Sequence, residues 1–231
     1  FFYFHALMGL AASVFEPKPE KAKLGVRVVC VSDTHGKHSS LKVPEGDILI
    51  HAGDFTHFGK EDDARRFNKW LGSLPHKHKF VVNGNHEKNA PWQKKVKFMI
   101  TNATVLIQES ATVTVERKAG SAGDASISVS VFGTNFFWPA RGNNPYYDRI
   151  KPGVDIVVSH GPAKGYVDDG HGCQSLATHM TRRVRPRLVV SGHIHSANGT
   201  TKNADGDITF VNAAICRNGY TPGWDAVVVD I

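Results

Sequence analysis

Residues 26–36 read Val-Arg-Val-Val-Cys-Val-Ser-Asp-Thr-His-Gly. A β-branched apolar run that stops at a polar, glycine-ended turn is the pattern of a buried strand with a loop at its carboxyl end. The pattern recurs along the chain. Residues 47–51 lead into Ala52-Gly53-Asp54, residues 80–82 into Gly84-Asn85-His86-Glu87, residues 154–159 into His160-Gly161, and residues 187–191 into Gly192-His193-Ile194-His195. Helical stretches intervene. Residues 61–74 place Ala64, Phe67, Trp70, Leu71 and Leu74 on one stripe behind acids in the first turn. Residues 92–100 and 174–184 read as two further helices. Residues 112–116 and 127–132 alternate with period two around Gly120-Ser121-Ala122-Gly123, which predicts a β-hairpin. Residues 208–211 and 226–231 read as closing strands. The expectation is an α/β chain of mixed sheet, with two sheets packed between helices.

The 231 residues are 41% hydrophobic and 21% charged, values that exclude a collagen-like, disordered or polytopic membrane protein. Three cysteines (Cys30, Cys173, Cys216) are too few and of the wrong parity for a disulfide scaffold. The net charge of +7 favours an anionic partner or substrate. Its basic residues fall in short clusters without interleaved aromatics, so they read as solvated faces and a nucleic-acid partner is not favoured. Residues 1–15 are almost wholly apolar, yet shorter than the roughly 18–20 residues that span a bilayer. They lack a basic leader, and the chain begins at Phe. The expected organisation is an apolar segment and linker over residues 1–25, in a fragment or processed form, ahead of one domain over 26–231. No transmembrane span is evident, and the expected location is cytoplasmic.

Histidine is in excess, at 13 residues, and five of these (His35, His86, His160, His193, His195) lie in the strand-end stretches. Ligands of α/β sheets gather beyond the carboxyl ends of strands, so these stretches are expected to converge on one crevice. Asp-x-His and Gly-Asp are common by chance, but Gly-His-x-His is expected only roughly 0.07 times and Gly-Asn-His-Glu about 0.002 times. The last two therefore carry the argument.

In this order, SDTHG (32–36), HAGDFT (51–56), GNHE (84–87), SHGP (159–162) and GHIH (192–195) resemble the calcineurin-like metallophosphoesterase superfamily. With GHGC (170–173) and the compact length, they look most like its branch of small metallophosphoesterase-domain proteins. The resemblance covers residues 26–231 and implies a four-layer αββα sandwich of two mixed β-sheets. Residue by residue, it assigns one metal to Asp33, His35, Asp54 and His195. It assigns a second to Asp54 as shared ligand with Asn85, His160 and His193. His86 is the non-ligand histidine that faces the scissile phosphate. The one departure is Ser159, where relatives often have Gly or Thr, and it removes no ligand.

This chemistry suits a phosphoester, whose anionic charge repels hydroxide. Two divalent ions about 3.5–4 Å apart neutralise phosphoryl oxygens and lower the pKa of a shared, metal-bridging water. Mixed imidazole, carboxylate and amide ligands suit Mn²⁺, Fe²⁺/Fe³⁺ or Zn²⁺. The expected function is a metal-dependent phosphodiesterase for small esters, including cyclic nucleotides. A nuclease or phosphomonoesterase using the same centre is the alternative. A non-catalytic scaffold, as in the retromer subunit of this fold, typically has a damaged ligand set, which this chain does not. Glu87 reads as an orienter of ligands, His51 as structural, and His171 and Cys173 as the rim of the pocket or a packed loop.

Overall fold

The computed structural model describes residue 21 and residues 23–116, 126–138 and 142–231. The apolar segment 1–15, almost all of the 16–23 linker and the hairpin turn at 120–123 lie outside the described residues. Two mixed sheets form the body. The first is built on β1 (Arg27–Val31), β2 (Ile48–His51), β3 (His78–Val81) and the short β4 (Thr104–Val105), all parallel; the carboxyl-terminal strand Val227–Asp230 pairs antiparallel with β1. In the second, the antiparallel hairpin β5 (Glu109–Glu116) and β6 (Ser126–Gly133) leads into the parallel β7 (Ile156–Val158) and β8 (Leu188–Ser191). Beyond β8, the edge strand β9 (Gly199–Lys202) pairs with β10 (Thr209–Asn212), which lies between it and β8.

Alternation along each strand builds the layers. Val28 and Cys30 of β1, Ile48 and Ile50 of β2 and Phe80 of β3 point inward, where they meet Val131, Ile156, Val158, Leu188 and Val190 of the second sheet. Val29, Val31 and Leu49 point the other way, onto Ala64, Phe67 and Leu71 of helix α1 (Glu61–Ser73). The opposite outer face of the second sheet (Phe132, Val157, Val189, Phe210) is covered by Leu176, Met180 and Val184. The result is the expected αββα sandwich. Strands buried on both faces explain why the sequence reads as continuous apolar runs there.

Several elements differ from the sequence reading. Residues 84–88, read only as a loop, form one helical turn, α2 (Asn85–Lys88). Residues 92–100 form a 3₁₀ turn (Gln93–Lys95) and the short α3 (Val96–Met99) in place of one helix. Trp92, Val96 and Ile100 are buried against the first sheet while Lys94, Lys95 and Lys97 stay outside, so packing and not helix propagation holds this segment. The expected helix 174–184 starts as α4 (Gln174–Thr178) and widens into a π-helix over His179–Val184. The wider turn lets the Arg183 guanidinium donate to the carbonyls of Tyr147 and Ile150 while Met180 and Val184 remain buried. Strands β4, β9 and the two-residue pair β11 (Cys216–Arg217) and β12 (Thr221–Pro222) carry too little periodicity to be read in advance. The Val227–Asp230 strand is accordingly β13.

Candidate metal centre

Asp33 follows β1, Asp54 follows β2, Asn85 and His86 follow β3, His160 follows β7, and His193 and His195 follow β8. Five parallel strands, from both sheets, thus deliver their ends to one cleft. Backbone shape makes the delivery possible. Asp33, His35, Asp54 and His193 all adopt left-handed φ values of 43–69°, a conformation costing roughly 1–2 kcal/mol for a residue with a Cβ. Asp and His tolerate it better than most. Gly84 and Gly192 are required for close approach: a Cβ would lie 2.0 Å from Asp54 Oδ1 at the first and 2.1 Å from Asp33 Oδ2 at the second.

Each carboxylate is divided between two tasks. Asp33 Oδ2 accepts the backbone N–H of His193 at 2.8 Å, and Asp54 Oδ1 accepts that of His86 at 2.9 Å. The other oxygens face imidazoles. Asp33 Oδ1 lies 3.3 Å from His195 Nε2, 3.8 Å from His35 Nε2 and 3.9 Å from His160 Nε2, and is buried without a hydrogen-bond partner among the described residues. Asp54 Oδ2 lies 3.3 Å from His160 Nε2 and 3.7 Å from His86 Nε2.

The histidines are pinned from behind. Nδ1 of His160 lies 2.8 Å from the Ala52 carbonyl, that of His35 3.4 Å from Thr56 O, and that of His195 3.3 Å from Arg217 O. An Nδ1–H donated to each carbonyl leaves the Nε2 lone pair turned inward, as ligating histidines require. His35 Nε2 and His195 Nε2 stand 3.1 Å apart, and His160 Nε2 stands 3.1 Å from Asn85 Oδ1. Two atoms each bonded to one ion at about 2.0–2.2 Å are separated by a similar distance. Ligating atoms of Asp33, His35 and His195 lie within 4.8 Å of one another, as do those of Asp54, His160 and His193. His35, Asp54 and His86 meet the same limit, so His86 is within reach of the centre as well.

Charge makes the same point. Burial would raise the carboxyls of Asp33 and Asp54, yet His160 holds both below the usual range. Burial opposes a proton on His160, but Asp54 and Asp33 push its pKa up to about 10, so without a cation a proton occupies the Nε2 lone pair that a metal ion would take. Burial keeps His35 and His193 neutral, with pKa values of about 4. Among the described residues, no lysine or arginine lines this cleft, which has a volume of about 320 Å³. Two buried carboxylates, one of them with an unpartnered oxygen among imidazoles, therefore make a site that calls for cations. The residues fit divalent metal.

Glu87 is fully buried, and its carboxylate is turned to backbone and hydroxyl donors. Its Oε2 accepts the N–H groups of Asp54 and Gly84, and its Oε1 accepts the N–H and hydroxyl of Thr56. Burial, then the Asp54 charge, pushes its carboxyl up to about 7 against these four donors. His51 is buried, with Nδ1 accepting the Gly53 N–H and Nε2 donating to Thr34 Oγ1, a structural role. His171 is exposed, whereas Cys173 is buried just before α4. His86 Nδ1 lies 2.9 Å from the Phe58 N–H and 3.0 Å from the Thr56 carbonyl. When it accepts the first, the ring proton sits on Nε2, facing the cleft. Aromatic residues that no motif advertised wall the site: Phe58 stacks on His86, Tyr220 meets His35 edge-on, and Trp138 meets His193.

Comparison with known proteins places this architecture. The calcineurin-like phosphoesterase profile matches residues 26–197. The chain belongs to the calcineurin-like phosphoesterase family. It is 36% identical over 237 residues to the human metallophosphoesterase domain-containing protein 1, covering 89% of this chain and 71% of that protein. It is 34% identical over 253 residues to a UPF0046 protein of Caenorhabditis elegans, covering 97% and 85% respectively. The crystal structure of the Thermus thermophilus protein TT1561 shares the fold, with a TM-score of 0.55 at 14% identity over 81% of this chain and 88% of that one. A calcineurin-like phosphoesterase is a metal-dependent hydrolase of phosphoric esters with a dinuclear centre, and this chain carries the His/Asp clusters for one. Among the described residues, no helix is long and apolar enough to cross a membrane.

Proposed function

We propose that this chain hydrolyses small phosphodiesters, cyclic nucleotides included, with residues 26–231 as the catalytic unit. In this reading Asp33, His35, Asp54 and His195 hold one metal ion, and Asp54, Asn85, His160 and His193 hold the other. The observation that carries it is the divided use of the two carboxylates: one oxygen of each is fixed by a backbone N–H, and the other is turned toward inward-facing Nε2 atoms. An Asp54 whose Oδ2 is left for the cleft suits a shared ligand. Imidazole, carboxylate and amide donors favour Mn²⁺, Fe²⁺/Fe³⁺ or Zn²⁺. When bound, such ions neutralise phosphoryl oxygens and make water acidic enough to serve as a nucleophile near neutral pH. His86 supplies what the ligands do not: with its proton on Nε2 it donates to a phosphoryl oxygen or to the leaving oxygen.

The deciding experiment is turnover of bis-p-nitrophenyl phosphate, p-nitrophenyl phosphate and the 2′,3′- and 3′,5′-cyclic nucleotides, with added Mn²⁺ and after chelation. Diester turnover that chelation abolishes is expected; a clear preference for the monoester would refute the diesterase assignment. Asp54→Ala should lose both metals by elemental analysis, and full occupancy in that variant would refute the shared ligand. His86→Ala should keep both metals and lose about 10²–10⁴-fold in rate. That loss should be larger for alkoxide than for p-nitrophenolate leaving groups, and equal losses would leave His86 a phosphate clamp with no acid role.

A further inference from the structure

A second and larger cavity, of about 560 Å³, opens beside the metal cleft and shares His35 and Tyr220 with it. Tyr220 stands between the two on the turn from β11 to β12, half-buried, at a left-handed φ of 59°. The chemistry of the two cavities differs sharply. Among the described residues, the metal cleft has no lysine or arginine on its wall, whereas the second cavity is lined by Lys37, Lys60 and Arg66. Its only lining carboxylate among the described residues, Asp63, is buried and already engaged, accepting the His57 N–H and pairing with Arg66. The Lys37 and Lys60 side chains are exposed and belong to no ligand set. The lining thus carries a net positive charge beside the candidate metal centre.

We propose that this cavity is a subsite for a second phosphate of the substrate, carried on the part of the molecule remote from the scissile ester and reached across the Tyr220 ring. The proposal rests on the phosphoesterase reading for the word substrate, but the anion site itself does not. An ester bearing one phosphate gains nothing from Lys37 and Lys60, whereas a bisphosphate engages both cavities at once. The two lysines therefore set specificity through binding and take no part in bond cleavage.

Two measurements test this. In the first, inorganic phosphate is titrated into chelated, ¹⁵N-labelled protein. The amides of Gly36, Lys37 and Lys60 should shift, and Lys37→Ala/Lys60→Ala should abolish those shifts at an unchanged melting temperature. No shift at these amides, or shifts that persist in the double variant, overturns the subsite. In the second, Mn²⁺-loaded protein is compared on adenosine 2′,3′-cyclic phosphate and its 5′-phosphorylated counterpart, which share one scissile ester. The wild type should show a KM about tenfold lower for the 5′-phosphorylated ester, the scale of one hydrogen bond to a charged group. The double variant should erase that difference while leaving kcat and the KM of the unphosphorylated ester alone. Equal KM values in the wild type, or equal losses on both esters, overturn the proposal. Amide shifts without turnover of any ester would sink the phosphoesterase reading and leave the anion site standing.

Discussion

Glu87 shows how a residue can govern a site without entering it. Four donors converge on its carboxylate, two on each oxygen, and they hold the backbone that presents Asp54. Glu87→Gln would set an amide N–H₂ against two of those donors. A buried mispairing of this kind costs about 2–4 kcal/mol, so urea unfolding should register a loss of that size together with weaker metal retention. A loss below about 0.5 kcal/mol, the range of an ordinary surface substitution, would mean the loop does not depend on it. Gly84 makes a steric argument of the same kind. The Cβ of Gly84→Ala would sit 2.0 Å from Asp54 Oδ1 and 2.5 Å from its backbone nitrogen, so the carboxylate must move. The variant should keep its circular dichroism spectrum and bind less metal by elemental analysis, and normal metal uptake would contradict the close approach.

Among the elements, α1 is the one whose role was plain from spacing alone. Phe67 lies fully buried, stacked on Phe55 with ring centroids 4.4 Å apart and planes 11° from parallel. Phe67→Ala removes an aromatic side chain from a packed layer, which costs about 3–5 kcal/mol. Denaturant unfolding should give that value with metal content of the folded fraction unchanged, because α1 covers the outer face of the first sheet. Residues 92–100 and 174–184 show the limit of such reading. Both carry apolar residues at helical spacing, but the backbone that joins them became a 3₁₀ turn in one and a π-helix in the other. Spacing reports which residues are buried; neighbouring carbonyls such as Tyr147 O and Ile150 O decide how the turn between them is wound.

For the molecule as a whole, buried neutral histidines make stability depend on pH. Burial pushes His38 down to about 4 and His51 to about 3, against 6.5 for an unhindered histidine. Between those values the unfolded chain binds more protons than the native one, so stability rises with pH across this window. Their contribution is complete above pH 6.5 and is lost as pH falls toward 4. The melting temperature should therefore drop by several degrees from pH 7 to pH 5, since 1 kcal/mol is worth about 2–4 °C in a domain of this size. His38→Gln should flatten that slope. A slope unchanged in this variant would place the acid lability elsewhere.

The order of five glycine-bounded motifs, each closing an apolar run, was enough to read the family, the two-sheet α/β architecture and the candidate ligands from Asp33 to His195. Those features are legible because a strand buried on both faces must be apolar throughout, and because metal chemistry restricts the donors to a few residue types. Tertiary structure alone decided the rest. The left-handed backbone at Asp33, His35, Asp54 and His193 is strained locally and persists only because packing of the surrounding sheets imposes it. Which carboxylate oxygen faces the centre was set by N–H groups of His193 and His86, 160 and 32 residues away from the carboxylates they hold. The aromatic wall and the basic side chains across Tyr220 (Lys37, Lys60, Arg66) belong to none of the five motifs. They assemble from loops distant in sequence, whose proximity is fixed by how two sheets pack and not by any local pattern.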